Sequence, residues 1–261
     1  MNTESWFDSH CHLSDPLLKD HLVQDIEFAI SVGIKHFVSS ALCASEFHWH
    51  SNFKNRYPQF AQLISWCAGI HPYYQLSSEN DLKLLDQLIR ESKIIAIGEI
   101  GLDKRNPDLN YQKKILLEQL YLASSAELPV FLHIVKYYYE IFSLLRKNFP
   151  DLTYIIHGFN SSLETAKEFS RLNSYFSLNS RLSAEQTLKY LIDQKRILLE
   201  TDSPYASPDP DKPYNSLSNL LLTAERIAEL AEISFKDLRK IQAENFLKLF
   251  GNKCSEDLDT T

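Results

Sequence analysis

Five histidines and two carboxylates follow short apolar runs in this chain. The first run leads into Asp8-Ser9-His10-Cys11-His12, and a later one into Gly69-Ile70-His71-Pro72. Others lead into Gly98-Glu99-Ile100-Gly101-Leu102-Asp103, Phe131-Leu132-His133, Ile155-Ile156-His157-Gly158 and Leu199-Glu200-Thr201-Asp202. Imidazole and carboxylate together form the donor set of a divalent-metal site, and imidazole suits Zn, Mn, Fe and Ni. His10 and His12 are two apart, so on a strand they point the same way and can grip one ion, while Cys11 points to the other face. His133 and His157 can grip a second ion. Glu99, with two oxygens to share, is the natural bridge, and Asp202 completes the first ion's shell. Two divalent ions outweigh two carboxylates. The resulting positive centre favours a phosphate or a developing oxyanion.

Taken singly, each signal is weak. An H-x-H pair on a strand is often only a hydrogen-bonded pair, and an Asp before Ser-Pro commonly caps a turn. The six together are informative because all end apolar runs in an order that can converge. His71 is ambiguous between substrate contact and a turn hydrogen bond. His21, His36, His48 and His50 read as structural or solvated.

The elements that must position these residues alternate. Strands are expected around 6–7, 35–39, 63–68, 94–97, 130–132, 153–156, 175–178 and 197–199. Helical patterns lie between them. One runs over 18–32 and ends at Gly33. Another covers 81–89 after Ser78. A third is opened by Asp108 and runs to about 127. Ser161 with Glu164, and Ser183 with Gln186, read as capping boxes. Helices over 216–231 and 235–249 close the chain. Eight strands, each followed by a helix, predict a (β/α)8 TIM barrel, whose active site is built at the C-terminal strand ends. A doubly wound open sheet is the alternative, although no G-x-G-x-x-G follows the first strand.

The 261 residues, 44% of them hydrophobic, suffice for a sizeable core, and no linker or low-complexity tract divides them; a single domain over 1–261 is expected. The net charge of −7 argues against a protein that coats nucleic acid, though not against an enzyme that meets it locally. No apolar run is long enough for a membrane span, and the N-terminus lacks a signal pattern. Cys11, Cys43, Cys67 and Cys254 are scattered without C-x-x-C spacing, as expected of reduced thiols in the cytoplasm. No obligate protein partner is evident.

The motifs in this order resemble the TatD-like family of metal-dependent hydrolases and deoxyribonucleases. The likeness runs from Phe7-Asp8-Ser9-His10-Cys11-His12-Leu13 through the segments above to Glu200-Thr201-Asp202-Ser203-Pro204 and Glu244-Asn245-Phe246. It implies a TIM barrel of the amidohydrolase type. It puts the family's metal ligands on His10, His12, Glu99, His133, His157 and Asp202, and brings His71 to the substrate phosphate. The chain departs from the family pattern at Val135, where Arg is common, at Phe159-Asn160-Ser161, and at Tyr214-Asn215-Ser216. Lys136 or Lys212 is a candidate replacement for the missing phosphate ligands, and Tyr137–Tyr139 either stack on bases or begin a packed helix.

The expected activity is therefore metal-dependent hydrolysis, foremost by a deoxyribonuclease that shortens DNA from an end. Two divalent ions (Zn, Mn, Fe, Ni or Mg) serve it, with Glu99 bridging and Asp202 accepting the proton of the attacking water. The alternative is an amidohydrolase acting on a small ester, amide or lactone. A barrel used only as a scaffold would leave six ligands without a task.

Overall fold

Every strand pairs with its sequence neighbours and all run parallel, in the order β1 (Trp6–Cys11), β2 (Ile34–Ala41), β3 (Ile64–Ala68), β4 (Ile97–Asp103), β5 (Val130–Val135), β6 (Thr153–Ile156), β7 (Asn173–Leu178) and β8 (Ile197–Leu199). A consecutive order has no switch point, so the open-sheet alternative is excluded. This computed structural model describes residues 3–73, 79–182 and 184–255. The strands curl into a nearly closed (β/α)8 barrel. Helices α1 (Leu22–Ser31), α2 (Ala44–Ser51), α3 (Phe53–Arg56), α4 (Glu79–Arg90), α5 (Leu109–Ala126), α6 (Tyr138–Asn148), α7 (Leu163–Phe169), α8 (Glu185–Asp193), α9 (Leu220–Ala231) and α10 (Phe235–Ser255) fill the connections.

Side chains of β1 tie it to β8 and to the segment that follows β8. Asp8 Oδ2 accepts from the Thr201 hydroxyl at 2.6 Å and Asp8 Oδ1 from the Thr201 amide at 3.0 Å, and the Ser9 hydroxyl donates to the Leu199 carbonyl at 2.9 Å. Above them the Asp202 amide donates to the His10 carbonyl and the His12 amide to the Ser203 carbonyl.

Two apolar layers hold the barrel. The outer one, between strands and helices, includes Ile26, Ala29, Leu85, Leu116 and Leu188. The inner one is Phe7, Val38, Cys67, Phe131, Ile155, Tyr175 and Leu198, stopped from below by Ala243, Phe246 and Phe250 of α10. Phe246 stacks on Phe7 at 4.5 Å, and Asn245 donates to the Ile197 carbonyl at 2.8 Å. The Glu244-Asn245-Phe246 segment thus contributes to the plug of the barrel, far from the strand ends that carry the histidines.

The pattern misplaced some boundaries. The fourth strand lies not at 94–97 but over Ile97–Asp103, so Gly98 to Asp103 is itself strand, and β5 likewise continues to Val135. Glycine decides this. A Cβ at Gly98 would meet Phe131, and one at Gly101 would overlap the His133 carbonyl, so only glycine lets β4 lie so close to β5. The first helix begins at Leu22, not 18, after a separate 3-10 turn at Pro16–Leu18. Such a turn (Leu217–Asn219) also precedes α9. The N-cap of α7 is Ser162, whose hydroxyl accepts from the Thr165 amide, and not Ser161. Asp108 caps α5 as expected. Ser78 and Ser183 lie outside the described residues, as does the side chain of Cys254.

Candidate metal centre

The register slips of the barrel aim its ligands. Phe7 faces the inner layer and Cys11 the outer one, although regular alternation would put residues four apart on one face. The β1–β2 register shifts between Asp8 and Cys11, and the changed parity turns His10 and His12 inward. In β4, Ile97 and Ile100 both pack outward although they are three apart. The register shifts between them, and Glu99 turns in. His133 follows Phe131 and His157 follows Ile155, each two residues above an inner-layer side chain. Asp202 is held at φ 57, a left-handed conformation uncommon outside glycine, with its amide on the His10 carbonyl.

The six expected ligands come together around Glu99. Its Oε1 lies 2.9 Å from His10 Nε2 and 3.2 Å from His12 Nε2. Its Oε2 lies 3.1 Å from His133 Nδ1 and 2.9 Å from His157 Nε2. Asp202 Oδ1 stands 3.3 Å from His12 Nε2. All six are nearly or wholly buried, apart from part of His157. Burial alone would raise the Glu99 pKa, but His157 and His10 outweigh it and hold the carboxyl well below its usual range. Asp202 is also lowered, against burial, chiefly by its hydrogen bond to His12. Burial opposes charge on His12, yet Asp202 and Glu99 raise it to about 9.

This donor set fits divalent metal. His133 Nδ1 and His157 Nε2 are 3.1 Å apart, and each is about as far from Glu99 Oε2. Two imidazole nitrogens and a carboxylate oxygen so disposed can share one ion at bond lengths of about 2.0–2.2 Å. His10, His12 and Glu99 Oε1 offer the same on the other side.

The structure adds residues that the sequence left without a task. Asp103 Oδ2 lies 2.9 Å from His133 Nε2 and also pairs with Arg105, so the far nitrogen of His133 is held by a carboxylate. Glu200 Oε1 lies 3.6 Å from His157 Nδ1 and accepts from the Gly158 amide and from Asn179. Ser40 Oγ stands 3.3 Å from His10 Nδ1. Glu200 and Asp202 are two apart, a spacing that could have flagged them as a pair. Nothing local marks Ser40.

His71 sits beside the centre, its Nε2 3.6 Å from Glu99 Oε2. The Tyr73 amide donates to His71 Nδ1 at 3.1 Å, so the ring proton lies on Nε2 and faces the centre. Burial, then the neighbouring His133, lower its pKa to about 4. At neutral pH His71 therefore offers a hydrogen bond and no charge.

These side chains open into a cavity of about 540 Å³, also lined by Leu42, Tyr73, Arg105, Ile134, Val135, Asn179, Arg181 and Tyr205. Neither Lys136 nor Lys212 lines it. Tyr138 packs against Phe159 and Phe169, and Tyr137 against the core, so these two begin a packed helix. Asn215 is buried and braces the Asp202 loop by donating to the Thr201 carbonyl at 2.7 Å. Of the other histidines, His36 and His50 are buried, His50 between Ser39 and the Glu46 carbonyl; His21 stacks on Tyr214.

Residues 7–251 match the model of the family described as TatD related DNase. The Bacillus subtilis protein YabD, named as an uncharacterised metal-dependent hydrolase, is 28% identical over 94% of this chain and 98% of its own. The human protein named deoxyribonuclease TATDN3 is 29% identical over 93% of each chain. Among solved structures, the Escherichia coli TatD homologue YjjV superposes with a TM-score of 0.86 at 24% identity, covering 96% of this chain and 99% of that one.

Proposed function

The chain belongs to the TatD-related deoxyribonuclease family of metal-dependent hydrolases, and from that premise we propose that it removes nucleotides from an end of single-stranded DNA with two divalent ions bound. The observation that carries this reading is the division of Glu99, one oxygen toward His10 and His12, the other toward His133 and His157. Ions held there would lower the pKa of a water and offset charge on a phosphate.

The residues divide the remaining work. Glu99 and the four histidines hold the metals. Asp202, beside the His10–His12 side and ionised, takes the proton of the attacking water and passes it on. The Nε2–H of His71 donates to a phosphate oxygen. The cavity takes only a short stretch of chain, which suits an acidic protein meeting nucleic acid locally. Cys11, Cys43 and Cys67 are free thiols, which supports a cytoplasmic setting. No helix among the described residues is long and apolar enough to cross a membrane.

Hydrolysis of end-labelled single-stranded DNA in Mg²⁺ or Mn²⁺, beside Glu99→Gln and an EDTA control, tests the reading. Stepwise shortening by the wild type, lost in both controls, is expected. A folded, metal-loaded protein that leaves DNA intact would remove it. The apolar wall of Leu42, Ile134 and Val135 favours one rival, hydrolysis of a small ester or amide. Inhibition by inorganic phosphate separates the two, since a phosphodiester site binds it.

A further inference from the structure

Two guanidinium groups on the cavity wall have no part in holding metal. Arg105 follows β4 and Arg181 follows β7. Between those strands lie β5 and β6, which carry the chain to His133 and His157. The two arginines therefore flank the His133–His157 half of the centre.

The two are held differently. Arg105 Nε lies 3.0 Å from each oxygen of Asp103, Nη2 also bonds that carboxylate, and the Arg105 amide donates to Oδ1 at 2.8 Å. Its guanidinium carbon stands 5.2 Å from the centre of the Tyr73 ring. These bonds occupy two of the five N–H donors and offset part of the charge. The side chain is still 60% exposed, so the other donors remain open. The Arg181 amide donates to Asn179 Oδ1 at 3.1 Å, which anchors the loop. Among the described residues no carboxylate forms an ion pair with its exposed guanidinium. A planar fork of donors with no acid to satisfy it, at the mouth of a cavity, matches the oxygens of a phosphate.

We propose that Arg181, with Arg105 as the weaker partner, binds the phosphates flanking the scissile one, so that the site selects a polyanionic strand over a small ester. This rests on the nuclease reading above. Lys136, beside the site in sequence but outside the cavity lining, takes no part.

The test compares two substrates in Mn²⁺. End-labelled single-stranded DNA has flanking phosphates, whereas bis(p-nitrophenyl) phosphate is a diester without them. Arg181→Gln should raise KM for DNA by on the order of tenfold with kcat nearly unchanged. The slope of log(kcat/KM) against log[salt] should fall by about 0.7. Hydrolysis of bis(p-nitrophenyl) phosphate should not change. Arg105→Gln should act in the same direction but less, and Lys136→Gln should change nothing. If the wild type degrades DNA while Arg181→Gln keeps its KM and salt slope, the clamp is overturned and the nuclease stands. Equal losses on both substrates also overturn it, because the effect would then lie at the metal centre. If the wild type cleaves the small diester and leaves DNA intact, both proposals fall.

Discussion

Asp103 stands behind His133 rather than within reach of the central carboxylate. Its carboxylate is wholly buried and faces the imidazole nitrogen turned away from the centre. Such a partner fixes the orientation of the ring. Asp103→Asn should lower metal affinity by about 10–100-fold. Competition against a chelating dye reads this directly, and an unchanged affinity in a folded variant would reduce Asp103 to a mere anchor for Arg105. The proposed reaction asks more of Asp202, as both ligand and proton acceptor. Asp202→Asn should cost about 10²–10⁴ in kcat, while Glu99 and the four histidines still hold metal. Activity of the purified, metal-loaded variant near the wild-type level would assign the proton to another base.

Among the elements, the β4–β5 pair is the most tightly constrained. Gly101→Ala would drive a methyl group into the His133 carbonyl, which neither strand can avoid without parting. The variant should be strongly destabilised and poor in metal binding together, since Glu99 and His133 share that seam. Loss of neither, by urea midpoint and metal titration, would mean that the strands can separate there. A second element has a pH signature. His50 of α2 is pushed down to about 4 by burial and stays neutral between Ser39 and the Glu46 carbonyl. The unfolded chain takes up that proton near pH 6.5. Its contribution is thus present above pH 6.5 and lost as pH falls from 6.5 toward 4. The urea midpoint of the wild type should drop more steeply over that window than that of His50→Gln. Parallel curves would show that His50 is not the group responsible.

For the whole molecule, the question is what holds the barrel while its upper end carries buried charge. The answer lies at the opposite end, where α10 stops the inner layer with Phe246 on Phe7. Phe246→Ala should cost about 3–5 kcal/mol, as for other large core truncations. Bound metal should act in the other sense. Mn²⁺ at a hundredfold excess over its Kd should add about 2.7 kcal/mol per site and raise the Tm. A Tm indifferent to Mn²⁺ and to EDTA would argue that the six ligands hold nothing.

The sequence alone singled out the six candidate ligands, because imidazole and carboxylate after apolar runs are local features. It determined the alternation of strand and helix for the same reason, and hence the barrel. What it could not determine was parity. Regular alternation places Phe7 and Cys11 on one face, and only slips against the neighbouring strands turn His10, His12 and Glu99 inward. Nor could it show Asp103 behind His133, or Arg105 and Arg181 on the wall of one cavity. Those pairings join residues far apart in the chain, and backbone register between strands decides them, which no local pattern of residue types records.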